Sequence, residues 1–152
     1  MKVAIDTSVL AYAEGLHGID KRDTARDIVR YLPQGAVAIP VQALGELFDV
    51  LTRKGGRTPV QARDAVSSWR DAFQLIETTH DAMLAAMDLV VVHDLSIWDA
   101  VSLSVSAKAG CRLFLSDKLQ DGFTWGGLTV ASPFACTRHA LLVELMSPRT
   151  SH

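Results

Sequence analysis

The chain has 152 residues, of which 49% are hydrophobic and 21% charged, and its formal net charge is −2. This length favours one domain with a substantial buried core, and the composition excludes a disordered chain. Because the net charge gives no overall cationic field, nucleic acid could be bound only through a local basic patch or a bridging metal ion.

The sequence carries no sign of a disulfide framework or of a membrane segment. The two cysteines, Cys111 and Cys136, fit no zinc motif, which predicts reduced thiols. Only three apolar residues separate Lys2 from Asp6, too few for the apolar part of a secretory signal. The longest apolar stretch, 82–92, contains an acid and is too short to span a bilayer. We therefore expect a soluble cytoplasmic protein without a membrane partner.

Short apolar segments alternate with segments of helical periodicity along the chain. In chain order the pattern predicts strand 2–8, helix 21–32, strand 36–40, helix 41–54, helix 58–73, strand 74–78, helix 79–92, helix 96–109, strand 112–117, a short strand 128–131 and helix 135–146. Pro33 and Gly55 are typical of helix ends. Thr58 and Thr79 are the predicted N-caps of the helices that they begin.

Strands that alternate with helices are typical of a parallel sheet covered by helices on both faces. We therefore expect an α/β fold, namely a three-layer α/β/α sandwich whose mainly parallel sheet has roughly five strands. Residues 1–147 form the single expected domain, and the tail 148–152 is expected to fray.

Acidic residues follow two of the predicted strands directly. Asp6 comes after the first strand and Asp117 after the fourth. In open parallel sheets ligands bind beyond the carboxyl ends of the strands, and these ends lie at one edge. A single acid there is more often a turn residue, but two acids at the same edge favour a site.

Two further acids lie on predicted helices, and the residues alone leave their roles open. Asp99 stands three positions after Ser96, which resembles a capping box with Asp in place of Glu and is equally consistent with a metal ligand. On a helical wheel Glu46 falls beside Gln42 and Asp49, which indicates the protein surface.

Carboxylates gathered in one pocket repel each other, by roughly 4 kcal/mol for a pair about 4 Å apart at an effective dielectric constant of about 20. Such a cluster needs a cation, or some of its members must bind protons. Oxygen ligands without histidine or cysteine favour Mg²⁺ or Mn²⁺ over zinc. Mg²⁺ keeps several waters and accepts phosphate oxygens, which suits phosphodiester hydrolysis.

Five segments carry a family resemblance through their order and spacing. They are IDTSVLAYA (5–13), ALGELFDVLTRK (43–54), IWDAVSLSVSAKAGC (97–111), LFLSDKLQDG (113–122) and VASPFA (130–135). Each segment is a weak signal alone, but together they cover nearly the whole chain. In this arrangement the sequence resembles the PIN domain family, specifically its VapC-type toxin ribonucleases.

The resemblance implies a role for each of the acids by position. It places Asp6, Glu46 and Asp99 in a catalytic metal site, and for Glu46 it opposes the surface position that the helical wheel indicates. It also implies that Thr7 or Ser8 orients Asp6 or a bound water.

The fourth acid of the family pattern has no direct counterpart here. Relatives carry Thr or Ser, any residue and then Asp after this strand, whereas Lys118 stands where that Asp belongs. We expect Asp117 to rotate inwards and substitute as a catalytic and metal-binding residue. Alternatively, Asp121 supplies the charge, or the site has three acids and binds metal weakly. Lys118 itself can place an ammonium near the scissile phosphate.

The implied activity is that of a metal-dependent endoribonuclease, with Mg²⁺ as cofactor and Mn²⁺ as its substitute. The metal binds a phosphate oxygen and lowers the pKa of a coordinated water, and a nearby carboxylate accepts the proton. The products implied are a 5′-phosphate and a 3′-hydroxyl. RNA contacts are expected from Arg53, Lys54, Arg57 and Lys118, although a basic helix end is also consistent with ordinary dipole placement.

The resemblance also implies a small antitoxin that blocks the pocket, often with a basic side chain, and a homodimer. The expected docking groove lies between helices 21–32 and 41–54. The alternative function is a degenerate PIN domain that binds RNA or a protein without cleavage, which Lys118 favours. A phosphatase with Asp6 as nucleophile is a weaker rival, because such enzymes usually need a second Asp where Ser8 stands.

Overall fold

A computed structural model describes residues 1–147 of the chain, which form a six-stranded sheet in the order β3-β2-β1-β4-β6-β5. The strands are β1 (Val3–Ile5), β2 (Val37–Pro40), β3 (Gln74–Ile76), β4 (Leu113–Leu115), β5 (Thr124–Trp125) and β6 (Leu128–Ala131). All pairings are parallel except that of β5 with β6. The predicted mainly parallel sheet is confirmed. The tail at 148–152, expected to fray, lies outside the described residues.

Helices cover both faces of the sheet. They are α1 (Thr7–Ala13), α2 (Ile19–Tyr31), α3 (Val41–Arg53), α4 (Pro59–Ala72), α5 (His80–His93), α6 (Ile97–Lys108) and α7 (Ala140–Met146). Residues of α1 to α4 and α7 share one apolar core, and residues of α5 and α6 share the other. The predicted α/β/α sandwich is therefore confirmed. Within residues 1–147, no helix combines the length and the apolar character that crossing a membrane requires.

The central strands are buried on both faces, which explains their continuous apolar sequence. Ile5 and Leu115 pack in the core with α1 to α4. Their strand neighbours Ala4 and Phe114 pack in the core with α5 and α6. All four are 0% exposed. This double burial is the property of strands in parallel sheets that lie between two helical layers.

The first helix is the main element that the sequence pattern does not predict. The pattern extends the first strand over 2–8, but the strand ends at Ile5 and α1 begins at Thr7. α1 has seven residues, too few to display a helical period, and it forms because apolar residues such as Leu10 are buried in the core. Asp6 therefore stands at the junction of strand and helix, with an extended backbone.

Two other elements differ from the prediction. The short strand β5 has no sequence pattern of its own, and it pairs because the chain turns back through Gly126 and Gly127, which both have positive φ. Trp125 is thereby placed opposite Leu128. The last helix begins at Ala140, later than predicted, and the preceding histidine caps it.

Side-chain caps fix two of the helix starts that the sequence predicts. The Thr58 hydroxyl accepts the N–H of the residue three positions on, at 3.2 Å, in a complete capping box. The Thr79 hydroxyl accepts the backbone N–H of Ala82 at 3.1 Å. Of the two interpretations left open for Asp99, the capping box with Ser96 is not formed, since Ser96 makes no side-chain cap bond and the Asp99 carboxylate accepts from Lys118.

Replacing the capping threonine, Thr58→Ala, should lower the free energy of unfolding by about 1 kcal/mol, because an N–H at the start of α4 loses its partner. Urea denaturation monitored by circular dichroism measures this change. Ser96→Ala is the matched control, for which we expect a change close to zero. Equal losses for the two variants would contradict the assigned caps.

Candidate metal centre

Asp6 is the most deeply buried acid at the carboxyl edge of the sheet. It follows β1, is 2% exposed, and its backbone N–H donates to Leu115 O at 3.0 Å. Its Oδ2 accepts from Ser116 Oγ at 2.8 Å and from Ser8 Oγ at 3.1 Å. Burial raises the pKa of Asp6, the bond from Ser116 opposes this, and the Asp99 carboxylate raises the pKa further. Two hydroxyls thus fix the orientation of a carboxylate that resists ionisation.

Glu46 lies on α3 and faces Asp6 across the gap to α1. Its Oε1 accepts from Thr7 Oγ1 at 3.4 Å, and its side chain is 23% exposed. Burial raises the pKa of Glu46; Lys118 lowers it, whereas Asp6 and Asp99 raise it. The helical wheel indicates the surface because it cannot show that α1 lies beside this part of α3. Of the two hydroxyl residues expected to orient Asp6, Ser8 contacts it, and Thr7 contacts Glu46 instead.

Asp99 completes the group from the first turn of α6, and Lys118 joins it. The Asp99 side chain is 14% exposed, and its Oδ1 lies 3.2 Å from Lys118 Nζ. The same ammonium is 3.9 Å from Glu46 Oε2. Burial lowers the pKa of Lys118, but Asp99 and Asp6 outweigh burial and raise it above its ordinary value. The structure therefore brings three of the predicted acids together around one lysine, and we call this group the acidic cluster.

The structure does not bring Asp117 into the acidic cluster. Its Oδ2 accepts from Tyr12 Oη at 2.6 Å and lies 3.5 Å from Lys21 Nζ, and its Oδ1 accepts from Ser132 Oγ at 3.2 Å. The Asp121 carboxylate also has a partner outside the acidic cluster, since its Oδ1 accepts a hydrogen bond from the backbone N–H of Ser132 at 2.8 Å. The expected substitution by Asp117 is therefore not seen, and the arrangement is the three-acid alternative.

The donor set agrees with Mg²⁺ in its chemistry. All three acids offer hard carboxylate oxygens, and the cluster contains no histidine or cysteine. Within residues 1–147, no group of three or more His, Cys, Asp or Glu is arranged to hold a metal ion. The site therefore has the oxygens that a hard cation needs, and the ammonium supplies the positive charge.

A groove of about 610 Å³ lies between α1 and α3, and Glu46 and Lys118 are the members of the acidic cluster that line it. Six of its lining residues are Thr7, Tyr12, Glu46, Lys54, Trp98 and Lys118. Trp98 is 50% exposed and is the chain neighbour of Asp99. No separate role is predicted from the sequence for Trp98, Tyr12 or Ser116, although an exposed tryptophan beside a predicted site acid is a usable signal.

The predicted RNA contacts differ in their availability. Arg53 pairs with Asp49 at 2.9 Å on the surface and lines the groove with Lys54. Arg57 is partly exposed but paired: its Nη1 donates to the carboxylate of Glu14 at 2.6 Å and its Nη2 to the carbonyl of Glu14 at 2.6 Å. Arg57 therefore braces the end of α1, which opposes the predicted RNA contact.

The geometry is accompanied by a match in sequence. The sequence model described as "PIN domain" matches residues 3–122. The chain belongs to the PIN domain family. No curated protein matches this PIN domain.

Solved structures similar to this PIN domain include VapC20 of Mycobacterium tuberculosis, described as a sarcin–ricin loop cleaving toxin. It is 27% identical, with coverage of 74% of this chain and 87% of that chain and a TM-score of 0.64. A toxin–antitoxin complex from Klebsiella pneumoniae is 18% identical over 88% and 98% of the two chains, with a TM-score of 0.65. VapBC2 from Rickettsia felis, bound to a DNA fragment from its promoter, is 12% identical over 87% and 98%, with a TM-score of 0.64. The last two show likeness of fold alone.

The raised pKa of Asp6 gives this PIN domain a defined dependence of stability on pH. The folded protein holds the Asp6 proton to a higher pH than the unfolded chain does, so this group stabilises the fold at low pH and the contribution is lost as pH rises. The free energy of unfolding of Asp6→Asn, relative to that of wild type, should therefore increase as the pH rises from 4 to 7 in metal-free buffer with EDTA. Urea denaturation measures the difference, with the exposed residue Asp27→Asn as control. A difference that does not change with pH would refute the prediction.

Loss of the brace in Arg57→Met should lower the free energy of unfolding by about 1.5–3 kcal/mol, because the half-buried Glu14 loses two charge-assisted hydrogen bonds. Arg53→Met, whose ion pair is exposed, should change stability by less than about 1 kcal/mol. Thermal and urea unfolding compare the two variants. The assignment fails if Arg57→Met folds as stably as Arg53→Met.

Proposed function

We propose that this PIN domain is a Mg²⁺-dependent endoribonuclease and the toxin of a toxin–antitoxin pair. The observation that carries the proposal is the convergence of Asp6, Glu46 and Asp99 around Lys118 at the carboxyl edge of the sheet, beside a groove that Glu46 and Lys118 line. Membership of the PIN domain family and the likeness to VapC20 support the same class of activity.

Asp6, Glu46 and Asp99 would hold the metal ion, with Mn²⁺ as a substitute for Mg²⁺. When bound, the ion supplies positive charge to the phosphate and acidifies a water molecule. Ser8 and Ser116 keep the Asp6 carboxylate in one orientation, so the ligand is positioned before the ion arrives. The Asp117 carboxylate, expected to be a ligand, supports the site from outside by its bonds to neighbouring elements.

The chain's own groups also supply proton transfer and charge. Burial raises the pKa of Glu46 in the metal-free protein. A Glu46 oxygen that does not bind the ion would be placed to accept a proton from the attacking water. The Lys118 ammonium, 3.2 Å from Asp99, can turn towards a phosphate that enters the cluster. We expect hydrolysis to leave a 5′-phosphate and a 3′-hydroxyl, as the family resemblance implies.

The groove offers RNA both charge and an aromatic surface. Arg53 and Lys54 lie along it and can contact phosphates. Trp98 stands half exposed next to Asp99, where an unpaired base can stack on it. Single-stranded or looped RNA fits this arrangement better than a continuous duplex, because stacking requires a base that is free of its helix.

The same groove is the proposed docking site of an antitoxin. One structural relative is a toxin–antitoxin complex, and another is VapBC2 on promoter DNA. A basic side chain of the partner would compete with Lys118 for the three carboxylates and block the site. A homodimer is proposed from the family resemblance.

The second candidate is a PIN domain that binds RNA or a protein without cutting. Lys118 favours it, since its ammonium lies in the cluster where the family pattern has an acid. This function predicts RNA binding without any product in the presence of Mg²⁺ or Mn²⁺.

Incubation with a mixed RNA pool and a sarcin–ricin loop oligonucleotide tests the proposal. We expect cleavage with Mg²⁺ or Mn²⁺, none with EDTA, and 5′-phosphate ends by mass spectrometry. Asp99→Asn should reduce the rate at least about a hundredfold by removing one ligand while the circular dichroism spectrum is unchanged. Asp27→Asn, on the exposed face of α2, is the control. Cleavage that persists in EDTA would exclude the metal mechanism, and RNA binding without cleavage would favour the second candidate.

A further inference from the structure

Lys118 is held in the acidic cluster by its backbone as well as by its charge. Its N–H donates to Ser116 Oγ at 3.1 Å, and that hydroxyl donates to Asp6 Oδ2 at 2.8 Å. The N–H of Leu119 contacts the same oxygen at 3.3 Å. One buried hydroxyl therefore fixes both the deepest acid of the cluster and the segment that carries the lysine.

Asp117, the residue before Lys118, is held away from the acidic cluster. Asp117 is bound by Tyr12, Lys21 and Ser132, all outside the acidic cluster. Its backbone N–H donates to Ser8 Oγ at 3.1 Å, which ties it to the start of α1. With Asp117 committed to this side, the side chain at position 118 is the one directed at the three carboxylates.

The charges of the cluster limit how many cations it can take. Once all three acids are ionised, as metal binding requires, three carboxylates and one ammonium would carry a net formal charge equal to that of two electrons, which one divalent ion neutralises. Without the ammonium, a fourth carboxylate would leave enough negative charge for two divalent ions. A second divalent ion beside Lys118 would also be repelled by the ammonium.

We infer that Lys118 is a built-in cation that takes one cation position of the acidic cluster, so that the centre binds one divalent ion rather than two. The inference rests on the proposed function, in which Asp6, Glu46 and Asp99 hold the metal. Lys118 neutralises part of the negative charge of the cluster, and the net charge that remains matches one divalent ion. Near a phosphate, its ammonium offers charge where two-metal enzymes use their second ion.

The test is a titration with Mn²⁺, followed by calorimetry and by the electron paramagnetic resonance signal of the free ion. Wild type should bind one Mn²⁺ per chain. Lys118→Asp should bind two Mn²⁺ ions, because it adds a fourth carboxylate to the acidic cluster. Lys118→Met should bind one, about tenfold more tightly than wild type, because the repelling charge is gone. Lys21→Met, which removes a lysine 3.5 Å from Asp117, is the matched control and should behave as wild type.

Two Mn²⁺ ions bound by wild type, or an unchanged affinity in Lys118→Met, would overturn the inference and leave the proposed metal-dependent function intact. No Mn²⁺ bound by any of the four proteins would instead overturn both. If Lys118→Asp fails to fold, the affinity of Lys118→Met decides the question. Thermal unfolding adds a readout that does not depend on activity, since added Mn²⁺ should raise the Tm of Lys118→Met more than that of wild type.

Discussion

Repulsion between three carboxylates is the constraint on which the site depends. The fold holds Asp6 at the junction of β1 and α1, Glu46 on α3 and Asp99 on α6, and each element is fixed by its own core contacts. The acids therefore cannot separate to relieve the repulsion. A positive charge among them or the binding of protons relieves the repulsion, and in this chain Lys118 provides a positive charge. The raised pKa values of Asp6 and Glu46 have the same origin, since burial and close negative neighbours both disfavour ionisation.

The departure of this chain from the family pattern involves two positions together. Lys118 stands where relatives carry Asp, and Asp117 beside it serves another purpose. Tyr12, Lys21 and Ser132 connect Asp117 to α1, α2 and the segment after β6. Lys21 also lies over the rings of Tyr12 and Phe134, which adds cation–π contacts to this network. An acid next to the expected position thus joins separate elements of one helical layer rather than the cluster.

The sequence predicts the fold well because the signals are local. Apolar strands, helical spacing and the threonine caps at Thr58 and Thr79 all read directly from neighbouring residues, and the parallel sheet follows from their alternation. The site is only partly predictable. Asp6 could be placed from its strand, whereas Glu46 needed the family resemblance, because the wheel cannot show which helix covers it. The direction of Lys118 depends on the hydroxyl of Ser116, which accepts its backbone N–H. The direction of Asp117 depends on partners more than 90 positions away, such as Lys21 and Tyr12. No local pattern records such contacts.

The margins of the sheet have a consequence for self-association. One rim is β3, with three residues, and the other is β5, with two. Strands this short present few free amides, so neither rim is a good template for a continuous intermolecular sheet. The two-residue strand β5 also pairs with β6, whose four residues would otherwise form a longer unpaired edge. Pairing of edge strands between copies of this chain is therefore disfavoured at both rims. Association through side chains on the helical faces meets no such restriction.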